Sequence, residues 1–510
     1  MRTAKGPSTQ SDETTNSGFH EKDVSAASCF VRVVWWIVVF ACCALVGVAA
    51  TVTNSTKSPG SRSASQALDL RKGELIERVV CVGNQTQTYA LYLPSSYTTT
   101  RTWPILYAFD PGARGKLPVE RFKDAAEKYG WIVAGSNNSR NGPMQVSIDA
   151  WKAIWDDTHD RLSIDERRVY TTGFSGGSRT AVFFATACKD CVAGVIGGGA
   201  GFPNGIPPTN AMHFVYFGIV GLDDFNFPEM KALDEALTKV GMPHQVRTWS
   251  GRHEWAPAAV QTEAVEWIEL QAIAAGIRQR DEKLIGDLWD KYSAMAKNLE
   301  AEQKLYEASQ ALSSLIGAFK GLHETNQAEK HLGELRETRA VKDALREERQ
   351  QIAKQRDTER ELYTLMAAAS TETDLNPSAR VHAAFAELQK SAKAETDTGA
   401  RRVARRVAEG MYVGLFEQGV NLLQVQKSYT AATKKFELAV QVGTDRPGGY
   451  YYLAQAYALS GNRKKSLQAL KTAVEKGFSD LSAISQSKAF ESLHDEPQYQ
   501  QILESMKRAN

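Results

Sequence analysis

Short apolar runs alternate with amphipathic stretches between about residue 75 and residue 274. Several of the runs are apolar on both faces, among them TYALYLP, WPILYAF and HFVYFGIV. A strand has this composition when helices cover both faces of a largely parallel sheet. Segments of helical length separate the runs. The pattern therefore predicts an α/β domain over residues 75–274, with a mostly parallel sheet flanked by helices.

The strand signals disappear after about Gly276, where Ala, Leu, Glu, Lys, Arg and Gln predominate. Residues 275–405 include the run RETRAVKDALREERQQIAKQRDTERELY. Such a charged run is typical of a solvated helix or a short coiled coil. We therefore expect residues 275–405 to form a charged helical region without strands.

An internal repeat lies in residues 406–510. Phe436 and Ala439 recur at an interval of 34 as Leu470 and Ala473. The intervening YYYLAQAYALSGN resembles a tetratricopeptide repeat in where it places small and aromatic residues. Small residues let paired helices approach, and aromatic residues fill the groove between them. The resemblance implies an all-α, tetratricopeptide-like domain whose concave surface could bind a protein partner.

One continuous apolar segment lies near the N-terminus, reading VVWWIVVFACCALVGVAA over residues 33–50. This length is near the lower limit for a helix that crosses a bilayer. A polar tail (1–30) precedes the segment and a Ser/Thr/Gly-rich linker (54–74) follows it. We therefore expect a transmembrane anchor at residues 31–53.

Two features bear on the fate and orientation of this segment. Val48-Ala49-Ala50 resembles the site of signal-peptide cleavage, although the preceding tail is long for a signal peptide. Arg32 at the N-terminal end slightly favours a cytoplasmic N-terminus. The expectation is a single-pass membrane protein with an extracytoplasmic catalytic domain.

Composition excludes some classes of function. The chain has 61 Lys plus Arg and 59 Asp plus Glu, a formal net charge of +2, so no global field attracts nucleic acid.

Cys188 and Cys191 form a single C-x-x-C pair, either a local disulfide or two thiols. No second Cys/His pair stands at zinc-finger spacing. We expect no metal and no cofactor.

The strongest chemical signal is Gly173-Phe174-Ser175-Gly176-Gly177, a G-x-S-x-G motif. A β-rich run, RVYTTGF, precedes the serine, and the helix-compatible SRTAVFFATA follows the motif. A tight strand-to-helix turn would present the Ser175 hydroxyl above the sheet as a nucleophile. The Gly176 N–H, at the start of the helix, would help to hold the oxyanion.

A serine nucleophile needs a base, and the α/β domain offers three histidines after Ser175. His213 and His244 each open a predicted strand, where a polar edge residue needs no further explanation. His253 lies in the loop after the last predicted strand, HQVRTWS. In this chain order the base comes last, so we expect His253 to be the general base.

The orienting acid should follow the strand HFVYFGIV, where Asp223 and Asp224 are both well placed.

A second oxyanion donor normally comes from the loop after the third strand. That loop begins Asp110-Pro111-Gly112-Ala113, so Gly112 or Ala113 could present a backbone N–H. An ordinary turn would have the same Pro-Gly sequence.

Four stretches together resemble the polyhydroxybutyrate-depolymerase and feruloyl-esterase-like branch of the α/β hydrolases: TYALYLPSSY, RRVYTTGFSGGSR, GLDDFNFPEM and GRHEWAP. The resemblance covers residues 75–274 and implies a serine esterase. It also implies that the acid is the aspartate directly before Phe-Asn, which is Asp224. The chain departs from the family at the oxyanion loop, where Asp110-Pro111-Gly112 replaces the common His-Gly.

The sequence therefore predicts an ester hydrolase that acts through an acyl-enzyme with a small-molecule or oligomeric ester as substrate. A peptidase on the same residues is an alternative, and so is a catalytically silent scaffold that binds partners through its repeats. The domain has no long insertion before His253 to form a lid. We expect an open site suited to short acyl chains.

Overall fold

The computed structural model describes residues 71–371 and 375–509. The expected anchor at residues 31–53 lies outside the described residues, as do the preceding tail and most of the linker. The expected α/β domain lies wholly within them.

An eight-stranded mixed sheet forms the centre of the N-terminal half. Its strands are β1 (Leu75–Val80), β2 (Thr88–Tyr92), β3 (Trp103–Phe109), β4 (Ile132–Ser136), β5 (Ile164–Phe174), β6 (Gly194–Gly198), β7 (Val215–Gly221) and β8 (His244–Trp249). Their order across the sheet is β1-β2-β4-β3-β5-β6-β7-β8. β2 is antiparallel to both β1 and β4, and the pairs from β4 to β8 are parallel. The expected α/β architecture is confirmed.

Five helices accompany the strands: α1 (Lys116–Tyr129), α2 (Met144–Arg161), α3 (Gly176–Ala187), α4 (Phe227–Val240) and α5 (Ala258–Ala274). Two hydrophobic clusters occupy the α/β region, one around Phe122, Trp131 and Trp267 and the other around Phe109 and Tyr216. Every residue of β2, β3, β4 and β6 is buried. This burial accounts for the continuous apolar runs, because helices cover both faces of the sheet.

The rest of the described chain is helical and contains no strand. Its α-helices are α6 (Glu282–Ala301), α7 (Leu305–Phe319), α8 (Asn326–Glu337), α9 (Arg339–Thr371), α10 (Leu375–Ala392), α11 (Gly399–Val420), α12 (Tyr429–Val442), α13 (Pro447–Leu459), α14 (Arg463–Glu475), α15 (Leu481–Ser485) and α16 (Pro497–Ala509). The recurring residues Phe436, Ala439, Leu470 and Ala473 are all fully buried in this helical region. The likeness to a tetratricopeptide repeat stays a prediction.

Two of the expected boundaries fall inside continuous structure. The apolar cluster on one face of the sheet continues past residue 274 into α6, α7 and α8, through buried residues such as Leu288 and Phe319. The boundary at 405/406 lies within α11, between the adjacent residues Arg405 and Arg406. The helices are therefore packed on the α/β region as well as on one another.

No helix among residues 71–371 and 375–509 is long and apolar enough to span a membrane. The long α9 carries many charged side chains, and the more apolar α5 has 17 residues, of which 11 are buried. The expected localisation, a single-pass membrane protein with an extracytoplasmic catalytic domain, is wrong on this finding.

The C-x-x-C pair, which the sequence left open, forms a disulfide between Cys188 and Cys191 directly after α3. Cys81 is the free cysteine of the described chain and is fully buried. Burial raises the pKa of its thiol to about 12, so it is protonated at neutral pH.

Candidate active site

Ser175 occupies the turn between β5 and α3, with φ 54° and ψ −121°. This region is sparsely populated by residues other than glycine and marks a strained turn. The flanking glycines allow the backbone to approach closely. A Cβ at Gly173 would lie 2.0 Å from the Gly177 carbonyl oxygen, and one at Gly177 would lie 2.0 Å from the Phe109 carbonyl oxygen. The turn therefore needs glycine because no side chain fits beside the neighbouring backbone.

Ser175, His253 and Asp224 come together in a chain of two hydrogen bonds. The Ser175 Oγ–H donates to His253 Nε2 across 2.8 Å, and the His253 Nδ1–H donates to Asp224 Oδ1 across 2.9 Å. We assign this tautomer because Asp224 Oδ1 also accepts the Asn226 N–H at 2.8 Å and so acts as an acceptor. Asp224 is only 1% exposed. The arrangement can move a proton from the hydroxyl to the imidazole.

Aromatic rings hold the imidazole from two directions. The ring centroids of Phe174 and His253 are 4.6 Å apart, and those of Phe225 and His253 are 4.2 Å apart. Phe174 precedes Ser175, while Phe225 follows Asp224. The imidazole is thus packed between side chains from the two turns that carry its hydrogen-bond partners.

The other candidates for base and acid lie elsewhere. His213 is exposed and pairs with Asp190, and His244 bonds the Met242 carbonyl. Asp223 forms an ion pair with Arg405 of α11, at 2.9 Å. None of these three side chains forms a hydrogen bond or ion pair with Ser175 or His253 among the described residues.

The oxyanion loop differs from the sequence expectation at Gly112. Its N–H donates to Asp110 Oδ1 at 2.8 Å, and the Ala113 N–H donates to the Asp110 carbonyl at 3.2 Å. Pro111 has no N–H to offer. The Gly176 N–H is at the first position of α3 and donates to no acceptor among the described residues. The Gly112 N–H is thus bonded within its own loop while the Gly176 N–H is not, and the oxyanion role of each residue stays a prediction.

The Gly112 N–H is bonded to Asp110, the first residue after β3. Asp110 is fully buried and receives two hydrogen bonds from Arg114, at 2.8 and 2.9 Å. Its Oδ2 also accepts the Trp255 indole N–H at 2.8 Å. Trp255 lies two residues after His253, so Asp110 connects the loop after β3 to the loop that carries His253.

The strand order, the strained Ser175 after β5, Asp224 after β7 and His253 after β8 together define the architecture. The region has an α/β-hydrolase-like fold. No family model and no curated protein matches the chain.

Solved structures match the hydrolase-like region at low identity. A substrate-bound fluorophosphonate-binding serine hydrolase of Staphylococcus aureus has 15% identity and a TM-score of 0.32, covering 39% of this chain and 99% of its own. The S-formylglutathione hydrolase of the same organism has 15% identity and a TM-score of 0.31, covering 39% and 98%. A mutant feruloyl esterase module from Clostridium thermocellum has 15% identity and a TM-score of 0.31, covering 38% and 85%. At these values the fold assignment rests on the geometry of the chain itself.

Sequence reasoning missed a contact from the helical region, made by Glu417 of α11. The Asn141 Nδ2–H donates to Glu417 Oε1 at 3.1 Å. Asn141 also lies beside Gly176, since a Cβ at Gly176 would be 1.9 Å from the Asn141 Oδ1. Burial raises the pKa of Glu417. Through Glu417, α11 therefore contacts Asn141, which lies beside Gly176.

No cluster of His, Cys, Asp and Glu in the described part of the chain could hold a metal ion. The groups that meet around Ser175 are its own hydroxyl, the His253 imidazole, the Asp224 carboxylate and the Gly176 backbone N–H.

Proposed function

We propose that the chain is a serine hydrolase that cleaves carboxylic esters through an acyl-enzyme on Ser175. His253 is the general base, and Asp224 orients it. The hydrogen-bonded chain from Ser175 through His253 to Asp224, at 2.8 and 2.9 Å, carries the proposal. A hydroxyl activated in this way is suited to acyl transfer.

The first half of the reaction forms the acyl-enzyme. As Ser175 Oγ attacks the ester carbonyl carbon, its proton passes to His253 Nε2. The buried Asp224 carboxylate stabilises the resulting imidazolium through Nδ1–H. The carbonyl oxygen becomes an oxyanion next to the Gly176 N–H, where the start of α3 favours negative charge. When the C–O bond breaks, the alcohol leaves with the proton from Nε2.

The second half returns the enzyme. A water molecule gives its proton to His253 Nε2 and attacks the acyl carbon. Ser175 Oγ leaves and regains the proton, and the acid is released. Both halves use His253 Nε2 to accept and return a proton and the same His253–Asp224 hydrogen bond, so one fixed orientation of the imidazole serves the whole cycle.

Labelling with a fluorophosphonate probe tests the proposal. Wild type should be labelled at Ser175, and Ser175→Ala should not be labelled. Ser250→Ala is the matched control, since Ser250 is an exposed serine in the loop before His253. A folded wild type that takes up no label, or a labelled Ser175→Ala, would contradict the proposal.

The bond that is cleaved is tested with a matched pair of substrates. p-Nitrophenyl butyrate and butyryl p-nitroanilide have the same acyl group and the same nitroaryl group. We expect turnover of the ester to exceed that of the anilide. Preference for the anilide would favour a peptidase and contradict the ester assignment.

A further inference from the structure

The loop that presents Asp224 is held by α11, far along the chain. Arg405 pairs with Asp223, and the Arg406 Nε–H donates to the Leu222 carbonyl at 2.6 Å. One turn further, Gly410 lies against Phe225, so that a Cβ there would be 3.2 Å from Phe225 Cβ. The helix therefore contacts residues 222–226, the acid loop, on both sides of Asp224.

Arg406 is unusual because it is charged and only 1% exposed. Its guanidinium lies 4.0 Å from the centroid of the Phe227 ring. No carboxylate among the described residues lies within ion-pair distance of it, and its Nη1 has no hydrogen-bond partner there. A buried cation without a close partner is expensive to maintain. The hydrogen bond to the Leu222 carbonyl and the stacking on the Phe227 ring partly offset this cost.

Electrostatics couples this arginine to the acid. Burial lowers the pKa of Arg406 to about 10, and the carboxylates of Asp223 and Asp224 act in the opposite direction. The nearby carboxylates thus offset part of the cost of burying the Arg406 charge.

A second buried side chain holds the other end of the loop. Gln355 of α9 is 1% exposed, and its Nε2–H donates to the Phe225 carbonyl at 2.9 Å. Phe225 carries the ring that packs on His253. Two buried side chains from the helical region thus bond the carbonyls of Leu222 and Phe225, which bracket Asp224.

We propose that Arg406 and Gln355 are positioning residues that hold Asp224 and Phe225 against His253, so that the helical region completes the active site. The proposal rests on the proposed function, since it concerns how the triad is held. It gives the helical region a role in the catalytic step, whether or not the same helices also bind a partner.

The test compares Arg406→Met with Arg402→Met on the full chain. Methionine keeps much of the stem of Arg406 but loses the charge and the donors. We expect kcat on p-nitrophenyl butyrate to fall by about tenfold to a hundredfold while KM changes by less than about threefold, as for a misaligned catalytic group. The Arg402 side chain bonds Asp397 and donates no hydrogen bond to the loop of Asp224 among the described residues, so Arg402→Met should keep the wild-type kcat.

Two further variants separate positioning from folding. Arg406→Lys keeps a charge and a donor and should recover part of the kcat lost in Arg406→Met. Arg406→Ala should regain activity when guanidinium chloride is added at millimolar, non-denaturing concentration, whereas wild type should not change. Gln355→Leu should lower kcat with little change in KM.

The outcomes distinguish the two proposals. If wild type is labelled at Ser175 but Arg406→Met matches Arg402→Met in kcat, the positioning role is wrong and the serine hydrolase stands. If wild type is not labelled, the proposed function fails first. If Arg406→Met unfolds and neither Arg406→Lys nor added guanidinium restores activity, Arg406 is structural only and the positioning role is overturned.

Discussion

Asp223 and Asp224 are adjacent in the chain, yet their carboxylates meet different partners. Asp224 turns inward to His253 and is 1% exposed, while Asp223 pairs with Arg405 on α11. A tight turn separates the two side chains, with the Asp224 N–H bonded to the Gly221 carbonyl at 3.1 Å. One backbone turn therefore determines that Asp224 reaches His253 while Asp223 reaches Arg405.

Alanine substitutions at the pair should therefore have unequal effects on kcat. Asp224→Ala removes the acceptor of the His253 Nδ1–H and should lower kcat by about a thousandfold or more. Asp223→Ala removes an ion pair on the outer side of the loop and should cost less than about tenfold in kcat, or ~1.4 kcal/mol of barrier. Steady-state kinetics on p-nitrophenyl butyrate measures both. A crippling Asp223→Ala beside a mild Asp224→Ala would reverse the assignment.

The nucleophile and the base should behave as one unit. Ser175→Ala and His253→Ala should each remove most of kcat, because the hydroxyl is a poor nucleophile without the imidazole. The double variant should be hardly slower than either single variant, leaving a residual rate from binding and oxyanion stabilisation. Additive losses in kcat would mean that the two residues act in separate steps.

The strand–turn–helix unit of β5 and α3 depends on close contact between backbones. Gly177 lies against the Phe109 carbonyl of β3, and Gly173 lies against Gly177. Neither glycine has a positive φ, whereas Ser175 itself does. These positions need glycine because a Cβ would collide with neighbouring backbone, not because they require a positive φ. The strained backbone conformation in this turn is that of Ser175.

Gly177→Ala should therefore destabilise the fold. The new Cβ would lie 2.0 Å from a backbone oxygen, which only a shift of α3 or β3 can relieve. We expect a loss of about 2 kcal/mol or more in the free energy of unfolding, measured by urea denaturation. Gly286→Ala is the control, because nothing lies within 4 Å of a Cβ there. As a substitution inside helix α6, it should be neutral or stabilise by up to about 1 kcal/mol.

At the scale of the whole molecule, two buried carboxylates on α5 connect the sheet region to the later helices. Glu266 accepts hydrogen bonds from Tyr129 of α1 at 2.6 Å and from Lys291 of α6 at 2.5 Å. Glu269 accepts from Trp131 at 2.6 Å and also bonds Arg278. Both glutamates are fully buried. The helical region therefore shares polar as well as apolar contacts with the hydrolase-like region.

Glu266→Gln should destabilise the protein in a pH-dependent way. Burial acts to raise the pKa of Glu266, but hydrogen bonds from Lys291, Tyr129 and Tyr292 outweigh it and lower the pKa. A carboxyl whose folded pKa is lowered contributes stability above its unfolded pKa, and that contribution is lost as pH falls through the folded pKa. The free energy of unfolding should drop by about 2 kcal/mol at pH 7.

The difference between wild type and Glu266→Gln should shrink in acid, below the ordinary pKa of a glutamate. Denaturant unfolding at a series of pH values measures it. Glu282→Gln is the control, because Glu282 pairs with Arg280 at an exposed site and should change stability little at any pH. A difference for Glu266→Gln that stays constant with pH would show that its charge is not the stabilising feature.

Local patterns in the sequence determined much of the hydrolase-like region. Apolar runs marked strands buried on both faces, because a covered sheet excludes polar side chains. The motif around Ser175 marked the turn, because few residues fit where backbones touch. The order of Ser175, the Asp223-Asp224 pair and His253 narrowed the acid and base to short loops, because strand ends in a parallel sheet meet at one edge. Each of these signals lies within a few neighbouring residues.

Tertiary structure alone decided the features that depend on distant partners. The Gly112 N–H is occupied because the buried Asp110 is bound by Arg114 and Trp255, the latter 145 residues away. The acid loop is held by Arg405 and Arg406 of α11, at separations of 182 and 184 residues. Periodicity reports which face of an element is buried, but it does not report which remote side chain buries it. The remote partner of each side chain is determined only when the helices and strands pack against one another.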